Sequence, residues 1–581
     1  METQSEDMKF KITFIHSPNL LYDQNFGTYF IPLWAYTLAS HVPSSWQIHI
    51  YDSKLDSLDS IPSSDIYAFS GINQDLVSMK ETFTFLKIKY PNSTFIIGGP
   101  ITWSLQQEKK LDELDCFDYI FILDGEESLP HFLQRYEQKI IQSLPKVISF
   151  PRFPISKAKK ISFDIFKPRA KNYFGTILEV SRGCPFLCEF CDIRVLPDNN
   201  KAHNKNINLI IEELEEYHKL GITQFQFACD NFIGDIAWAH ECLDAIISWK
   251  EESGAKPGIY VWLTLNLYKM PSLMIKMRKA GFSVLFIGVE SVNSNSLLET
   301  AKVQNRVALD HAIREIQSYG FIVAPGFIFG FDSDTNTVFD ETLNFIKNTG
   351  LLGGDPSFLI ALPGTPLYKR MQMSKRLVES DENITVRTKI STNIRYLQDK
   401  EFLAEGFIKF IQVFTSPKFQ YERFKNHIEL MAHSKNFIRF DGPGYGSISN
   451  YLYLQLKISQ NRKMLFLRVF YLLKRPTAII AVIRAVTLTK MNTHKLGGAW
   501  NHFKFWLFMW TNIGLKYRGL KREHFNLHSV SKDFNLAATI YDGNKQMGYD
   551  SIKKITSGSE KRLQQKRFTD AALRKLIRTQ V

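Results

Sequence analysis

The sequence predicts an α/β protein in which a doubly wound Rossmann-like domain (1–150), a short linker (151–172) and a partial (β/α) barrel (173–375) precede a mostly helical C-terminal region (376–581). Three observations predict it. Short β-branched and aromatic runs alternate with helix-length apolar segments through the first 370 or so residues, the pattern of parallel sheets with crossover helices. Pro145, Pro151, Pro154 and Pro168 interrupt that alternation between Gln138 and Tyr173. From about Met371 onward strand signals thin out and apolar residues recur at helical spacing. A chain of 581 residues is too long for one ordinary core, and 44% hydrophobic with 22% charged residues is globular usage, not that of a disordered or collagenous chain.

In the first part, Phe10 to Ile15, Trp46 to Tyr51, Ile66 to Ser70, Thr94 to Ile97 and Tyr119 to Leu123 read as strands, with an apolar helix over Ile31 to Ser40. Three strands run into turn residues: Ser70, Gly71 and Asn73; Gly98, Gly99 and Pro100; Asp124, Gly125, Glu126 and Glu127. Ligands of doubly wound sheets sit at the carboxyl ends of strands, where such loops lie, so this part either binds a small ligand or serves as structural support. In the second part strands are expected over Gly175 to Val180, Gln224 to Ala228, Tyr260 to Leu265, Val284 to Val289, Ile322 to Phe329 and Ser357 to Ala361. Helical stretches at Leu209 to Leu220, Ile236 to Trp249, Leu273 to Ala280 and Val307 to Tyr319 separate them, which suggests a barrel of six strands.

The loop after the first barrel strand holds three of the six cysteines, Cys184, Cys188 and Cys191, spaced Cys-x3-Cys-x2-Cys. Three thiolates on one loop can bind three irons of a cubane cluster and leave the fourth without a protein ligand. A zinc site would want a fourth Cys or His at similar spacing, and the nearest, His203, lies in a polar stretch. Cys116, Cys229 and Cys242 read as small buried hydrophobes.

This loop, at this position in a partial barrel, resembles the radical S-adenosylmethionine (SAM) superfamily. The resemblance implies a [4Fe-4S] cluster on Cys184, Cys188 and Cys191, with the amino and carboxylate groups of SAM on the open iron and a 5′-deoxyadenosyl radical as the product of SAM cleavage. It further implies SAM contacts at Asp230 and Asn231 ending the second strand, although the common Gly-Gly-Glu is absent, and at Thr264 and Asn266 ending the third. Glu290 in Gly288-Val289-Glu290-Ser291 and the Gly326, Ile328 and Gly330 positions of Gly-x-Ile-x-Gly complete the set. No catalytic residue beyond the cluster ligands is assigned.

Over most of residues 9 to 430 the layout is similar to that of cobalamin-binding radical SAM enzymes. The segments CPFLCEFCDI, DNFIGD, GFIFGFDSDT, ALPGTPLY and SPKFQYERF most resemble the subgroup that contains hopanoid C-2 methylases. That resemblance places cobalamin against Ser70, Gly71, Asn73, Gly98, Gly99, Pro100, Gly125 and Glu126. No Asp-x-His-x-x-Gly supplies a histidine for cobalt, and His16 at a strand end is more simply hydrogen-bonded there. The implied activity is methylation of an unactivated carbon in an apolar or lipid-like substrate, with an electron donor such as flavodoxin or ferredoxin. The alternatives are rearrangement or cyclisation without methyl transfer and, from another class, a non-catalytic iron-sulfur scaffold or sensor. Methylthiolation fits less well, since that family carries a second cysteine triad upstream and only Cys116 precedes the loop here.

Charge is uneven. Residues 401–581 hold 31 Lys and Arg against 11 Asp and Glu, so the net charge of +14 belongs to the last third and the first 400 residues are net acidic. From Tyr451 to Lys521 cations mix with Leu, Ile, Phe and Trp and no acid occurs. Such helices suit peripheral contact with a membrane through 451–521, packing against the barrel, or, less well, nucleic acid. The apolar runs, Phe505 to Leu515 and Pro476 to Ile483, fall short of the roughly 20 residues that cross a bilayer. Gly442 to Gly446 reads as a flexible connector, and Glu212 to Glu216 as a solvated helix face. Met1 to Met8 is polar and lacks the apolar core of a signal peptide, which with few cysteines points to the cytoplasm, peripheral to the inner face of the membrane if the basic region docks there.

Overall fold

The computed structural model describes residues 10–19, 30–305, 308–378, 390–440, 442, 448–457, 459–531 and 534. Met1 to Met8 and most of the Gly442 to Gly446 run lie outside them.

The first sheet is made of β1 (Phe10–His16), β2 (Trp46–Asp52), β3 (Ile66–Ser70), β4 (Thr94–Gly98), β5 (Tyr119–Ile122) and β6 (Val147–Ser149). All six are parallel in the order β2-β1-β3-β4-β5-β6. Strand residues alternate between two faces, and both are covered. Ile12 and Phe14 pack with Ala35, Leu129, Phe132 and Phe166, while Ile15, Tyr67 and Phe69 pack with Leu76, Met79, Leu86 and Ile101. The direction of winding reverses between β1 and β3, the position at which doubly wound sheets hold ligands beyond the carboxyl ends of their strands. β6 falls inside the stretch that reads as aperiodic, because three residues between Pro145 and Pro151 are too few to show a period.

The second sheet begins with β7 (Thr176–Glu179), after which β8 (Ser181–Arg182) and β9 (His203–Asn204) bracket the cysteine loop as a short antiparallel pair. It continues with β10 (Gln224–Ala228), β11 (Gly258–Leu263), β12 (Phe282–Glu290), β13 (Ile322–Phe329) and β14 (Asp355–Phe358). These pair in parallel as β7-β10-β11-β12-β13-β14, with β7 and β14 left as edges, so the barrel is open. Its outer face meets helices: Phe327 stacks edge-on with Phe345, and Phe329 contacts Phe339, both from helix Val338–Thr349.

The C-terminal region is mostly helical, with one correction. β15 (Ile390–Tyr396) and β16 (Phe525–Ser529) form a parallel pair, a partnership across some 130 residues that no local pattern announces. Helices Pro417–Ala432, Pro476–Asn492 and Ala499–Lys516 share a core with Val284, Ile322, Ala324 and Leu352 near the amino ends of the barrel strands, and so form the barrel floor. Phe503, Phe505, Trp506 and Trp510 belong to this core, with Trp506 and Trp510 fully buried. Their indole N–H groups donate to the Gln420 and Thr415 carbonyls at 3.0 and 2.9 Å. The aromatic-rich helix is therefore structural and does not present these rings outward.

Candidate active site

The cysteine loop leaves β8 through Gly183, whose φ of 91° suits glycine alone, since a Cβ there would collide with the Lys201 carbonyl oxygen. The loop is tied down from several sides. Cys184 N–H donates to the Asn199 carbonyl (3.0 Å), Glu189 N–H to the Thr300 carbonyl (2.9 Å), and Arg194 to the Leu187 carbonyl (2.6 Å). Glu189 forms a two-pronged pair with Arg370 (2.8 and 3.0 Å), and Arg370 reaches Asp332 (2.8 Å), which also holds Arg376. Bidentate pairs of this kind fix geometry as well as charge.

Cys188 is buried, and Cys184 and Cys191 are half-buried. Burial first, with neighbouring acids and thiols adding to it, pushes the Cys184 thiol up to about 11 and the Cys191 thiol up to about 12. Such thiols give up their protons to a metal, not to water. Among the described residues no three His, Cys, Asp or Glu side chains converge as a single ion requires. A cubane asks for something else, one thiolate per iron, and three thiols on one pinned loop fit it.

The barrel lumen above this loop is open. Residues pointing inward from consecutive strands, Ala228, Trp262, Gly288, Gly326 and Ile328, are only half-buried, while their outward neighbours Phe227, Val261, Ile287, Phe327 and Phe329 are buried. Asn231, Thr264 and Asn266 come together there: the Thr264 hydroxyl donates to Asn266 Oδ1 and, at 3.5 Å, to Asn231 Oδ1. Asn231 is fully buried, and its Nδ2 has no partner. An orphaned buried donor at the lumen wall suits a polar ligand such as SAM. Glu290, with φ of 64°, turns back beside Gly326, where a Cβ would lie 3.6 Å from Glu290 Oε2.

Asp230 and Gly330 have partners within the protein. Asp230 Oδ2 accepts the Gly183 N–H at 2.6 Å and Asn199 Nδ2 at 3.4 Å, so it holds the cysteine loop. Gly330 donates to Asp334 at 2.9 Å and lies against the Tyr396 ring, in a turn that closes β13. Among the other cysteines Cys242 is buried and Cys229 half-buried, whereas Cys116 is exposed, because it sits in a surface turn before β5.

A segment that the sequence reading missed completes the site. After helix Ser294–Glu299 the chain doubles back, and Lys302, Gln304 and Asn305, all buried, reach into the barrel end. Lys302 Nζ lies 2.7 Å from Glu290 Oε1, Gln304 Nε2 donates to Cys188 Sγ at 3.4 Å, and Asn305 Nδ2 donates to the Gly288 and Val289 carbonyls at 2.9 Å. Burial alone would discharge Lys302, but Glu290 and the nearby thiols outweigh it and keep the ammonium charged. In sequence these are polar residues after a helix, as in any surface loop.

The loops at the carboxyl end of the first sheet face this same end of the barrel. Arg182, next to the cysteine loop, pairs with Glu126 Oε1 (2.5 Å) and Glu179 (2.7 Å), and Asp124 pairs with Arg152 (2.7 Å). A Cβ on Gly364 would meet Val195 at 2.7 Å and Gln107 at 3.2 Å, so the cysteine loop, helix Pro100–Glu108 and the loop after β14 also touch. Of the residues expected to hold cobalamin, Glu126 is thus engaged by Arg182, and Gly125 lets helix Leu33–Ala39 approach, with Leu38 2.9 Å from where its Cβ would be. Ser70, Gly71, Gly98, Gly99 and Pro100 lie together beyond β3 and β4. Gly99 (φ 85°) is packed on Ser70, and Ile101 N–H donates to the Gly71 carbonyl. Asn73 Nδ2 donates to Ser104, and its buried Oδ1 has no partner, a second orphaned polar atom, here just past the carboxyl end of β3. His16 Nδ1 accepts from Trp34 Nε1 at 3.3 Å.

Comparison with known proteins places these features. Residues 178–346 match the Radical SAM superfamily, and residues 365–494 match a domain of unknown function, DUF4070. The chain is 27% identical over 380 residues to the hopanoid C-2 methylase of Rhodopseudomonas palustris, covering 64% of this chain and 69% of that one. Its fold is similar to that of TsrM from Kitasatospora setae, a radical SAM methyltransferase with cobalamin and a [4Fe-4S] cluster bound. That likeness has a TM-score of 0.52 and 12% identity, over 64% of this chain and 79% of TsrM. It is also similar to OxsB, a cobalamin-dependent radical enzyme with aqua-cobalamin and SAM bound, with a TM-score of 0.53 and 17% identity over 93% of this chain and 84% of OxsB.

Proposed function

We propose that this chain, which carries a radical SAM domain over residues 178–346, is a cobalamin-dependent methyltransferase acting on an unactivated carbon of an apolar, lipid-like small molecule. The observation that carries the reading is the shared end. Loops of a doubly wound sheet, where a corrin would lie, meet the three-cysteine loop of an open barrel and are tied to it by the Arg182–Glu126 pair. The names of the methylase relative and of the two solved neighbours support it. When bound, the cluster supplies the electron that cleaves SAM, and cobalamin supplies the methyl group.

The chain's own residues divide the remaining work. Cys184, Cys188 and Cys191 hold the cluster, on a loop that Asp230 and Arg370 keep rigid. Asn231, Thr264, Asn266 and Glu290 bind and orient the polar groups of SAM, and Gly326 with Ile328 offers a flat wall to its adenine. Ser70, Gly71, Asn73 and Gly98 to Pro100, at the carboxyl ends of β3 and β4, would hold cobalamin, and among the described residues no histidine of an Asp-x-His-x-x-Gly motif would be there to ligate its cobalt. Tyr260, Trp262 and Phe286, facing the lumen, exclude water and favour an apolar substrate. An electron donor such as flavodoxin or ferredoxin would reduce the cluster in the cytoplasm, and the part of residues 451–521 that the barrel floor leaves outward contacts a membrane.

The test is anaerobic reconstitution with SAM, cobalamin and reductant, alongside mass spectrometry of lipids from cells with and without the gene. Expected are 5′-deoxyadenosine, S-adenosylhomocysteine and a lipid heavier by one methyl group. Deoxyadenosine with an isomeric or cyclised product and no S-adenosylhomocysteine would replace methyl transfer by rearrangement, and a chain that takes up close to no iron would refute the whole reading. His16→Ala should leave the spectrum of bound cobalamin unchanged.

A further inference from the structure

Helices Ser459–Leu473 and Pro476–Asn492 form a hairpin joined at Lys474 and Arg475. The second is held to the barrel floor by Ala478, Ala481 and Ala485, which are buried in the floor core. Much of what the hairpin turns outward is apolar. Phe466 is 70% exposed, Leu473 59%, Ile483 58% and Ile480 51%. Phe466, Val469, Phe470 and Leu473 recur at i, i+3, i+4 and i+7, so they form one stripe along the first helix. Leu452, Tyr453 and Leu456 on helix Ile448–Lys457 extend it, and Met491 and Trp500 are exposed beyond it. In the rest of the described chain large exposed apolar side chains are strung out singly, as at Ile72, Ile88, Ile236 and Val413, and need no explanation. A dense set does.

The cations on the same elements limit what can cover this face. Arg462, Lys463, Lys474, Arg475, Arg484 and Lys490 are exposed between and beside the apolar residues, and no Asp or Glu occurs from Tyr451 to Arg522. Lys474 Nζ lies 4.4 Å from the centre of the Phe470 ring, so cation and apolar stripe are interleaved. A second copy of this face would set cations against cations. Nucleic acid would use the cations but not the aliphatic residues Leu473, Ile480 and Ile483. A bilayer rich in anionic lipid uses both, taking apolar side chains at the headgroup boundary and offering phosphates to the cations. No described helix is long and apolar enough to cross a membrane, so the contact is a surface one.

We infer that the outward face of the 459–492 hairpin, extended by Leu452, Tyr453 and Leu456, docks the protein flat on an anionic lipid bilayer. This moves the membrane contact away from the aromatic helix Ala499–Lys516, whose rings build the floor. It does not depend on the chemistry performed at the cluster.

The experiment is flotation of the full chain with phosphatidylcholine vesicles and with vesicles containing phosphatidylglycerol, each at low and high salt. A Phe466→Ser/Phe470→Ser/Ile483→Ser variant and a Lys463→Gln/Lys474→Gln/Arg484→Gln variant are run beside it. Expected is binding to anionic vesicles that drops at least tenfold in the first variant and loses its salt dependence in the second, with near-ultraviolet circular dichroism unchanged in both. Three results would overturn the inference: no flotation of the full chain with anionic vesicles at low salt, flotation of the apolar variant equal to that of the parent, or a dimeric full chain that the apolar variant makes monomeric.

Discussion

Lys302→Met keeps the bulk of the side chain and removes its charge, which isolates the role of the segment that returns into the barrel end. Lys302 Nζ and Glu290 Oε1 are 2.7 Å apart, and the two side chains are only 8% and 11% exposed. Water cannot replace the lost ammonium, so a carboxylate is left uncompensated at the lumen wall. Breaking one side of such a buried pair costs about 3–5 kcal/mol, whereas replacing both sides with uncharged groups of similar shape is often nearly neutral. Glu290→Gln/Lys302→Met should therefore recover most of the loss. A chain with several cores does not unfold in one step, so the assay is hydrogen exchange at the amides of β12 and β13. At about 1.4 kcal/mol per tenfold, Lys302→Met should exchange roughly a hundred- to several-thousand-fold faster than the parent. Exchange in Lys302→Met within about threefold of the parent, or a double variant no slower than the single one, would refute the reasoning.

Three further outcomes are expected. Gln304→Leu removes an N–H donor from Cys188 Sγ; a net hydrogen bond of about 0.5–1.5 kcal/mol that favours the more negative, reduced cluster corresponds to a fall of about 20–65 mV in the one-electron midpoint potential, read by redox titration with electron paramagnetic resonance. Gly183→Ala places a Cβ on the Lys201 carbonyl oxygen at a φ of 91° and should cut iron uptake on reconstitution to a small fraction of the parent's, while Gly221→Ala, at a comparable φ of 75° but with nothing for the Cβ to strike, should not. Burial pushes His427 down to about 3 and His502 well below the usual range, and their rings meet at 2.9 Å under the barrel. Both bind protons in the unfolded chain before they do in the folded one, so stability present above about pH 6.5 should be lost as pH falls. For His427 the loss is about 2 kcal/mol at pH 5, seen as hydrogen exchange in helices Pro417–Ala432 and Ala499–Lys516 that speeds up as pH falls and that His427→Gln makes less steep.

What the sequence determined by itself is what is encoded over short spans. The Cys184, Cys188, Cys191 loop lies within eight residues, the parallel strands are apolar runs bounded by turns, and the break in periodicity marks where one sheet stops feeding the next. These were legible because backbone preference and side-chain period act between neighbours in the chain. Tertiary structure alone decided everything that depends on residues meeting from far apart. Lys302, Gln304 and Asn305 are anonymous polar residues until β12 brings Glu290 to them and the loop brings Cys188, 116 positions away from Gln304. Glu126 reads as a ligand contact at a strand end, and its pairing with Arg182, 56 positions on, exists only in the folded chain. The same limit explains the C-terminal region. Composition marked 451–521 as basic and apolar, but whether Trp506 or Phe466 faces solvent is set by which helix face the barrel floor covers, and that pairing is a property of the packed core, not of the segment.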